Sequence, residues 1–224
     1  MVGSILVLEH LISLAAPVWE RWLFLGKDNA EMDLLQTLDE RLLTLGDMRQ
    51  FLAERADVDA VLIATGDRWH ALASIWAMRA GKDVYCEKPA CLTMTQGQAV
   101  VETARRYGRV YQTGTQRLSE ANHVFCIEMA RTGRLGKIHT AYAHIAPWDA
   151  AQMRHDWLPA VAEPPKDEVD WDAWLGPCPW RPFNPAYVSG GWRGFYDFHT
   201  SCIGEWGAHT FAQAQAGIDS LDTS

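Results

Sequence analysis

A short E-K-P segment, Glu87 to Pro89, carries a lysine whose position suits proton chemistry. Lys88 follows a predicted parallel strand, and open α/β sheets bind their ligands at the carboxyl ends of such strands. Pro89 keeps the preceding residue out of the helical region and so fixes the direction of Lys88. A lysine held there can hydrogen-bond a substrate hydroxyl and take part in proton transfer. The alternative is a solvated surface lysine, which is the fate of most lysines.

Glu205 and His209 form a second candidate pair near the end of the sequence. They are four residues apart on a predicted helix and share one face, so the carboxylate can orient the imidazole or tune its pKa. This arrangement predicts a general base, with His209 as the base and Glu205 as its partner. The alternative is a solvated pair on the helix surface, without a catalytic role.

The same segment allows a metal-site hypothesis, because zinc accepts imidazole, thiolate and carboxylate ligands. Four such side chains are close together in the sequence: His199, Cys202, Glu205 and His209. Their spacing matches no standard metal motif, and clusters of this kind are more often coincidental. We therefore predict no metal site.

Four polar residues near the ends of predicted strands are candidates for cofactor contacts. Thr65, Asp67 and His70 lie where a strand ends and the next helix opens, a position suited to ribose and phosphate groups. Gln116 follows a later strand and is a further candidate for a cofactor contact. Each residue has a simpler alternative: Asp67 caps the helix, His70 is a first-turn surface residue, and Gln116 merely finishes its strand.

The sequence contains 11 tryptophans, many of them in a loop-rich stretch. Aromatic faces stack on the apolar faces of sugar rings, and tryptophan suits a half-open pocket. Packing of loop side chains onto the sheet explains each of them equally well. Trp192 and Arg193, in a G-G-W-R-G segment, are further candidates for contacts with cofactor or substrate. The crowded tryptophans are Trp148, Trp157, Trp171, Trp174, Trp180 and Trp192.

The elements that position these side chains follow a regular order from residue 57 onward. Apolar, β-favouring runs predict strands at residues 58–65, 82–86 and 109–113. An apolar stripe predicts a helix over 67–81, and a capping box at Thr95 and Gln98 predicts another helix through 107. Strand, helix, strand, helix, strand at this spacing indicates a doubly wound, Rossmann-like parallel sheet of the α/β class.

After residue 118 the pattern changes to that of an α+β domain. We predict a helix over 119–131, a strand over 137–145 and a last helix over about 204–216, separated by loops. Three regions result. Residues 1–44 are unassigned, residues 45–118 form a partial dinucleotide-binding domain, and residues 119–224 form a partial substrate domain with a mixed or antiparallel sheet.

The N-terminal region lacks the expected phosphate-binding turn. Its glycines are Gly3, Gly26 and Gly46, and none has the G-x-G-x-x-G spacing that lets a backbone approach a pyrophosphate. Residues 4–25 are strongly apolar, but charged side chains leave an uninterrupted run too short to span a bilayer. We interpret this segment as helical or undetermined.

The amino-acid composition limits the kinds of binding partner and the cellular compartment to be expected. The formal net charge is -8 and no Lys/Arg cluster occurs, which argues against a nucleic-acid partner. The five cysteines contain no C-x-x-C pair, which argues against a disulfide framework or a zinc ribbon. These features favour a cytoplasmic protein with neither a membrane nor a nucleic-acid partner.

Several of these segments, taken in order, resemble the Gfo/Idh/MocA oxidoreductases. They are I-A-T-G-D-R-W-H-A (63–71), A-G-K-D-V-Y-C-E-K-P (80–89), T-G-T-Q (113–116), G-R-L-G-K-I (133–138) and G-E-W-G-A-H (204–209). The resemblance implies hydride transfer between a sugar or polyol carbon and NAD or NADP. It places Glu87 and Lys88 beside the nicotinamide and ribose. Lys88 and His209 would handle the hydroxyl proton.

The sequence departs from the family pattern at three points. Gly66 stands where the family usually has proline, Glu205 where it commonly has aspartate, and the G-x-G-x-x-G turn is missing. We therefore expect a chain truncated or replaced at both ends, which leaves its status as a working enzyme uncertain. The alternatives are an NAD-dependent glycosidase of the same fold and a non-catalytic fragment. Complete relatives are expected to form homo-oligomers through the C-terminal sheet.

Overall fold

The structure is a computed structural model that describes residues 5–9, 48–145 and 153–218. The predictions that concern residues 10–47 and Trp148 lie outside these ranges.

A parallel sheet of four strands organises the first half of the chain. In sheet order the strands are β1 (Ile5–Glu9), β2 (Ala60–Ala64), β3 (Asp83–Cys86) and β4 (Tyr111–Thr113). Each is parallel to its neighbour, with Ala60 opposite both Ile5 and Asp83. The three predicted strands are confirmed, with bounds shorter by one to three residues.

β1 was not predicted. Residues 5–9 extend alongside β2, so the helical interpretation of this part of the apolar N-terminal segment is wrong. A short apolar run such as I-L-V-L-E fits a buried strand or a buried helix equally well by periodicity. The hydrogen-bonding partner decides between them, and here it is β2.

Helices pack against the sheet and close one hydrophobic core. They are α1 (Met48–Glu54), α2 (Asp67–Arg79) and α3 (Met94–Tyr107). Alternate residues of β2 and β3 are buried, and they pack with one face of α1 and α2. The buried core residues include Leu52, Val61, Ile63, Ala77, Met78, Val84 and Cys86.

The start of α3 lies two residues before the predicted capping box. Thr93 is the N-cap, and its hydroxyl accepts a hydrogen bond from the backbone N–H of Gln96 at 3.2 Å. The side-chain oxygen of Gln96 accepts from the backbone N–H of Leu92 at 2.8 Å. The sequence contains two overlapping T-x-x-Q patterns, and the structure uses the earlier one.

The second half of the chain is built from short helices and turns. The helices are α4 (Ala121–Arg131), α5 (Trp171–Leu175), α6 (Pro185–Val188) and α7 (Ala208–Gly217), with 3-10 turns at Gln116–Leu118 and Gly191–Gly194 and a π-helical turn at Ile203–Gly207.

The strand predicted over 137–145 does not form. These residues form no regular secondary structure, almost all are exposed, and no described residue pairs with them. An alternating pattern gives a strand only where a second strand supplies hydrogen bonds and a core accepts the apolar side chains. The only pairing after residue 119 in the described ranges is an isolated bridge between Arg154 and Phe195. The mixed or antiparallel sheet of the second domain stays a prediction.

A cluster of aromatic side chains forms a second hydrophobic core, and hydrogen bonds connect this core to the sheet domain. Trp171, Trp174 and Tyr187 are buried there and pack with neighbouring phenylalanines. Nε of Arg68, in the first turn of α2, donates to the Trp174 carbonyl, and Nε1 of Trp69 donates to the Ala173 carbonyl at 3.2 Å. Of the crowded tryptophans, Trp171, Trp174 and Trp192 are thus buried in this core. Trp157 and Trp180 remain exposed.

No helix in the described parts of the chain combines the length and the apolar character needed to cross a bilayer.

Candidate functional site

The carboxyl ends of β2, β3 and β4 lie along one edge of the sheet, where ligands of parallel α/β folds bind. Residues that follow these strands meet residues of the π-helical turn at this edge. Asp67 and Lys88 come from the sheet domain. His199 and Glu205 come from the second half of the chain.

Lys88 and Glu205 form the central contact of this edge. Nζ of Lys88 donates a hydrogen bond to Oε2 of Glu205, across a separation of 117 residues. The side chains are 24% and 14% exposed. A charge-assisted pair in such a half-buried place is stronger than one in open solvent. Two residues that the sequence singled out separately thus belong to one site.

Asp67 and His199 form a second, deeper pair. Oδ2 of Asp67 lies 2.7 Å from Nδ1 of His199, and the two side chains are 7% and 4% exposed. The same nitrogen lies 3.9 Å from Oε1 of Glu205. Asp67 does not cap α2, because the N-cap is Gly66 and no side-chain cap hydrogen bond forms. Its carboxylate instead holds the imidazole of His199 beside Glu205.

Trp192 and Arg193 extend this group of side chains. The Trp192 ring packs edge-on against the His199 ring, with centroids 5.4 Å apart. The Arg193 guanidinium lies over the Trp192 ring at 4.4 Å from its centroid. Trp192 thus contacts the Asp67–His199 pair and Arg193 packs on Trp192, and the contact of either residue with a cofactor stays a prediction.

Glu87 is buried and held by its neighbours. Oε1 accepts a hydrogen bond from Nε2 of Gln116 at 2.6 Å, and Oε2 accepts from the backbone N–H of Lys88 at 3.2 Å. Burial raises the pKa of the Glu87 carboxyl, against the lowering influence of Lys88. A Cβ at position 114 would lie 2.5 Å from Oε1 of Glu87, so any other residue there would displace this carboxylate. Gln116 therefore orients Glu87 rather than only finishing a strand.

Glu205 and His209 are not hydrogen-bonded to each other. Residues 203–207 form a π-helical turn, and its wider spacing alters how residues four apart face one another. Glu205 contacts Lys88 instead. Nδ1 of His209 is buried and has no hydrogen-bond partner within the described ranges. Burial and the charges of Lys88 and Arg117 lower the pKa of His209, which favours a neutral imidazole able to accept a proton.

His70 and Thr65 are joined by a hydrogen bond within the sheet domain. Nε2 of His70 lies 2.8 Å from the Thr65 carbonyl oxygen, and Nδ1 lies 2.6 Å from the carbonyl oxygen of Pro89. His70 is only 1% exposed. The surface position that the sequence left open for His70 is therefore wrong, and both ring nitrogens face the backbone.

Two family models match the chain. The model of the GFO_IDH_MocA oxidoreductase family, NAD-binding Rossmann fold, matches residues 32–115, and the model of the family's C-terminal alpha/beta domain matches residues 136–224. The chain belongs to the Gfo/Idh/MocA oxidoreductase family. The resemblance seen in the sequence and the Rossmann-like α/β class are both confirmed.

Curated Gfo/Idh/MocA-like relatives match part of the chain. A 1,5-anhydro-D-fructose reductase of Ensifer adhaerens is 33% identical over 100 residues, which are 41% of this chain and 30% of the relative. Inositol 2-dehydrogenase 2 of Saccharopolyspora erythraea is 36% identical over 87 residues, 38% of this chain and 26% of the relative. A glycosyl hydrolase family 109 protein of Shewanella baltica is 31% identical over 111 residues, 46% of this chain and 23% of the relative. Each match spans less than a third of the relative's length.

The structure brings together a different set of possible metal ligands from the set suggested by the sequence. Asp67, His199 and Glu205 place one ligand atom each within 4.8 Å of one another, whereas Cys202 and His209 are not in this group. The ammonium of Lys88 already binds Glu205 and would repel a divalent cation there. Nδ1 of His199 and Oδ2 of Asp67 lie at hydrogen-bond distance from each other, so each of these two atoms already has a partner.

We expect the purified protein to contain no stoichiometric zinc, because Lys88 and the Asp67–His199 hydrogen bond already satisfy the charges of this group. Elemental analysis of the purified chain measures the zinc content. Prolonged treatment with a chelator, followed by assay of nicotinamide-dependent turnover, measures its importance. One zinc per chain, removed together with activity, would assign the three side chains to a metal.

The Asp67–His199 pair is the main feature that sequence reasoning missed. His199 was considered only as a metal ligand, and Asp67 only as a helix cap or cofactor contact. The two residues are 132 positions apart, and no local pattern links them. The sequence offered one signal for this pair: each residue lies at the edge of a strand or helix, where polar side chains converge.

Proposed function

We propose that this chain is an oxidoreductase that passes a hydride between a hydroxyl-bearing carbon of a sugar or polyol and NAD or NADP. The observation that carries the proposal is the Lys88–Glu205 contact at the carboxyl edge of the sheet. It joins the E-K-P segment to the G-E-W-G-A-H segment. When bound, the nicotinamide supplies the redox chemistry, and the protein supplies orientation and electrostatics.

Lys88 and His209 have complementary roles in the proposal. The Lys88 ammonium donates a hydrogen bond to the substrate oxygen, and Glu205 holds the ammonium in place. His209 accepts the hydroxyl proton as the alcohol is oxidised and returns it in the reverse direction. The lowered pKa of His209 and its unpartnered, buried Nδ1 support this assignment.

The described residues fit the nicotinamide end of such a cofactor better than its pyrophosphate end. Polar groups of Thr65, Glu87 and Gln116 line the edge where the nicotinamide and ribose would lie. The unpartnered Nδ1 of His209 is left for a bound group. No G-x-G occurs anywhere in the sequence, so a glycine-rich phosphate turn of the usual kind is missing.

The proposal predicts formation of reduced nicotinamide when the purified chain is incubated with polyols and NAD or NADP. Weak cofactor binding is expected, so the cofactor must be present at high concentration. Absorbance of the reduced nicotinamide measures turnover across a panel of cyclic polyols, aldoses and anhydro sugars. A folded chain that reduces neither cofactor with any of them would contradict the proposal and favour a non-catalytic role.

A glycosidase that uses bound NAD transiently is the second candidate. The match to a glycosyl hydrolase family 109 protein favours it. Such an enzyme oxidises and then re-reduces the sugar, so it cleaves an aryl glycoside without net formation of reduced cofactor. Release of the aryl group that depends on NAD, with no accumulation of reduced nicotinamide, separates this candidate from the first.

The compartment and the assembly belong to the same proposal. No disulfide joins any of the five cysteines, all of which lie in the described residues, and this is consistent with the reducing cytoplasm. Assembly of complete relatives into homo-oligomers through the C-terminal sheet stays a prediction.

A further inference from the structure

Each of the two ring nitrogens of His70 faces a backbone carbonyl oxygen. Its Nδ1 lies 2.6 Å from the carbonyl oxygen of Pro89, and its Nε2 lies 2.8 Å from that of Thr65. A carbonyl oxygen can only accept a hydrogen bond. A neutral imidazole has one N–H and one bare nitrogen, so it can satisfy only one of the two carbonyls. Both contacts are hydrogen bonds only when both ring nitrogens carry a proton.

The two carbonyls belong to the two loops that carry the site. Thr65 follows β2 and precedes Asp67, and Pro89 directly follows Lys88. His70 lies in the first turn of α2, between these loops. Pro89 also packs near the turn of Glu205, because a Cβ at Gly204 would lie 3.3 Å from Cβ of Pro89.

We propose that His70 is a doubly protonated imidazolium that ties the Lys88–Pro89 segment to the end of β2 and thereby positions Lys88 against Glu205. His70 is a positioning residue: its ring is 1% exposed and contacts backbone on both sides, so it acts through Lys88. The state of the ring does not depend on the oxidoreductase function. Its expected influence on turnover rests on that proposed function.

The surroundings of His70 support the charged ring. Burial disfavours the charge, but Cys86, Asp67 and the Pro89 carbonyl outweigh burial and raise the pKa of His70 to about 9. Cys86 belongs to β3 and Asp67 to α2, and Glu87, which follows β3, also interacts with the ring charge. These are the titratable groups that face the ring among the described residues.

The pH dependence follows from a folded-state pKa above the ordinary value of 6.5. The second hydrogen bond contributes stability fully below about pH 6.5, and the contribution is lost as the pH rises through about 9. In that window the ring loses one proton, and either the Pro89 or the Thr65 carbonyl loses its donor.

Nuclear magnetic resonance of the unaltered, isotope-labelled chain tests the ring directly. Two-bond nitrogen–proton correlations distinguish an imidazolium from either neutral tautomer, and His70→Gln identifies the signal among the 8 histidines. We expect both ring nitrogens of His70 to be protonated at about pH 8, where a histidine of ordinary pKa is neutral. A neutral ring with one bare nitrogen at that pH would overturn the proposal. If His70→Gln does not fold, sequential backbone assignment of the unaltered chain identifies the ring instead.

A second readout tests positioning separately from stability. In a chain with labelled lysines, the side-chain resonance of Lys88, identified with Lys88→Arg, should shift with the same midpoint as the His70 ring. The shift should be absent in His70→Gln and unchanged in His139→Gln, which alters an exposed histidine. A Lys88 resonance that stays constant while the His70 ring titrates would show that His70 does not position Lys88.

Turnover supplies the link to function. We expect His70→Gln to lower kcat roughly 10- to 100-fold, with a smaller change in the KM for the sugar, because small misplacements of a reacting group have effects of this size. An unaltered kcat in a folded His70→Gln protein would contradict the effect on Lys88. If the unaltered chain shows no nicotinamide-dependent turnover, the oxidoreductase proposal fails, while both resonance measurements still decide the state and role of His70.

Discussion

Lys88→Ala is expected to lower turnover by ~10²- to 10⁴-fold, the range typical of groups that act in proton transfer. The Lys88 ammonium is half-buried, is oriented by Glu205 and lies at the sheet edge where the substrate oxygen is proposed to bind. Removing it takes away a charged donor to the oxygen and leaves the Glu205 carboxylate without its partner. Affinity for the cofactor should change much less, because the ammonium is proposed to act on the substrate hydroxyl.

The measurement is kcat and KM for the polyol at cofactor concentrations well above the dissociation constant. Lys137→Ala is the matched control, since it removes an exposed lysine of the second half of the chain. Lys88→Arg keeps the positive charge but changes the geometry of the donors, and partial activity in that variant would show how much of the effect is charge alone. Near-full turnover in a folded Lys88→Ala protein would remove Lys88 from the mechanism.

The sheet domain could be predicted because its signals are local. Apolar runs of four to eight residues, each followed by a helical stripe and a glycine, indicate strands and helices without knowledge of their partners. β2, β3 and β4 and the helices between them follow such signals. The positions of Lys88 and Glu87 at a strand end follow in turn, because the carboxyl ends of parallel strands share one edge.

The remaining features depend on partners distant in sequence. β1 is a strand because β2 lies beside it, and residues 137–145 are not a strand because no described residue pairs with them. The Thr93 cap and the Thr95 pattern are equivalent in sequence, and the structure uses Thr93. A local sequence pattern therefore predicts a helix or a strand correctly only where no partner distant in sequence decides the structure.

The side chains of the site show the same limit. Glu205 was predicted to orient His209, which is four residues away, but the π-helical turn directs it to Lys88. The role of His199 requires Asp67, from the other half of the chain. The sequence identified most of the residues, whereas their pairing required the contact between the two halves. That contact forms at the first turn of α2, where Arg68 and Trp69 bond to α5.

The affinity for the whole dinucleotide is a separate matter from the chemistry at its nicotinamide end. A pyrophosphate carries two negative charges that must leave water, and the usual compensation comes from backbone N–H groups and the positive end of the first helix. Close approach of that backbone requires glycines, and no G-x-G occurs in this sequence. Losing one or two charge-assisted hydrogen bonds, each worth ~1.5–3 kcal/mol, weakens binding by roughly a hundredfold.

We therefore expect the 224-residue chain to bind NADH weakly, and only slightly more tightly than reduced nicotinamide mononucleotide, which lacks the pyrophosphate link and the adenosine. Titration with each ligand, followed by the fluorescence of the 11 tryptophans, gives the two dissociation constants. Their ratio isolates the pyrophosphate and adenosine contribution, because the nicotinamide contacts are common to both ligands. Glu87→Gln is the matched variant: it alters the nicotinamide end and should weaken both ligands equally.

Micromolar binding of NADH, far tighter than that of the mononucleotide, would show that the chain holds the pyrophosphate without a glycine-rich turn. The N-terminal residues that follow β1 would then be the first place to look for the donors.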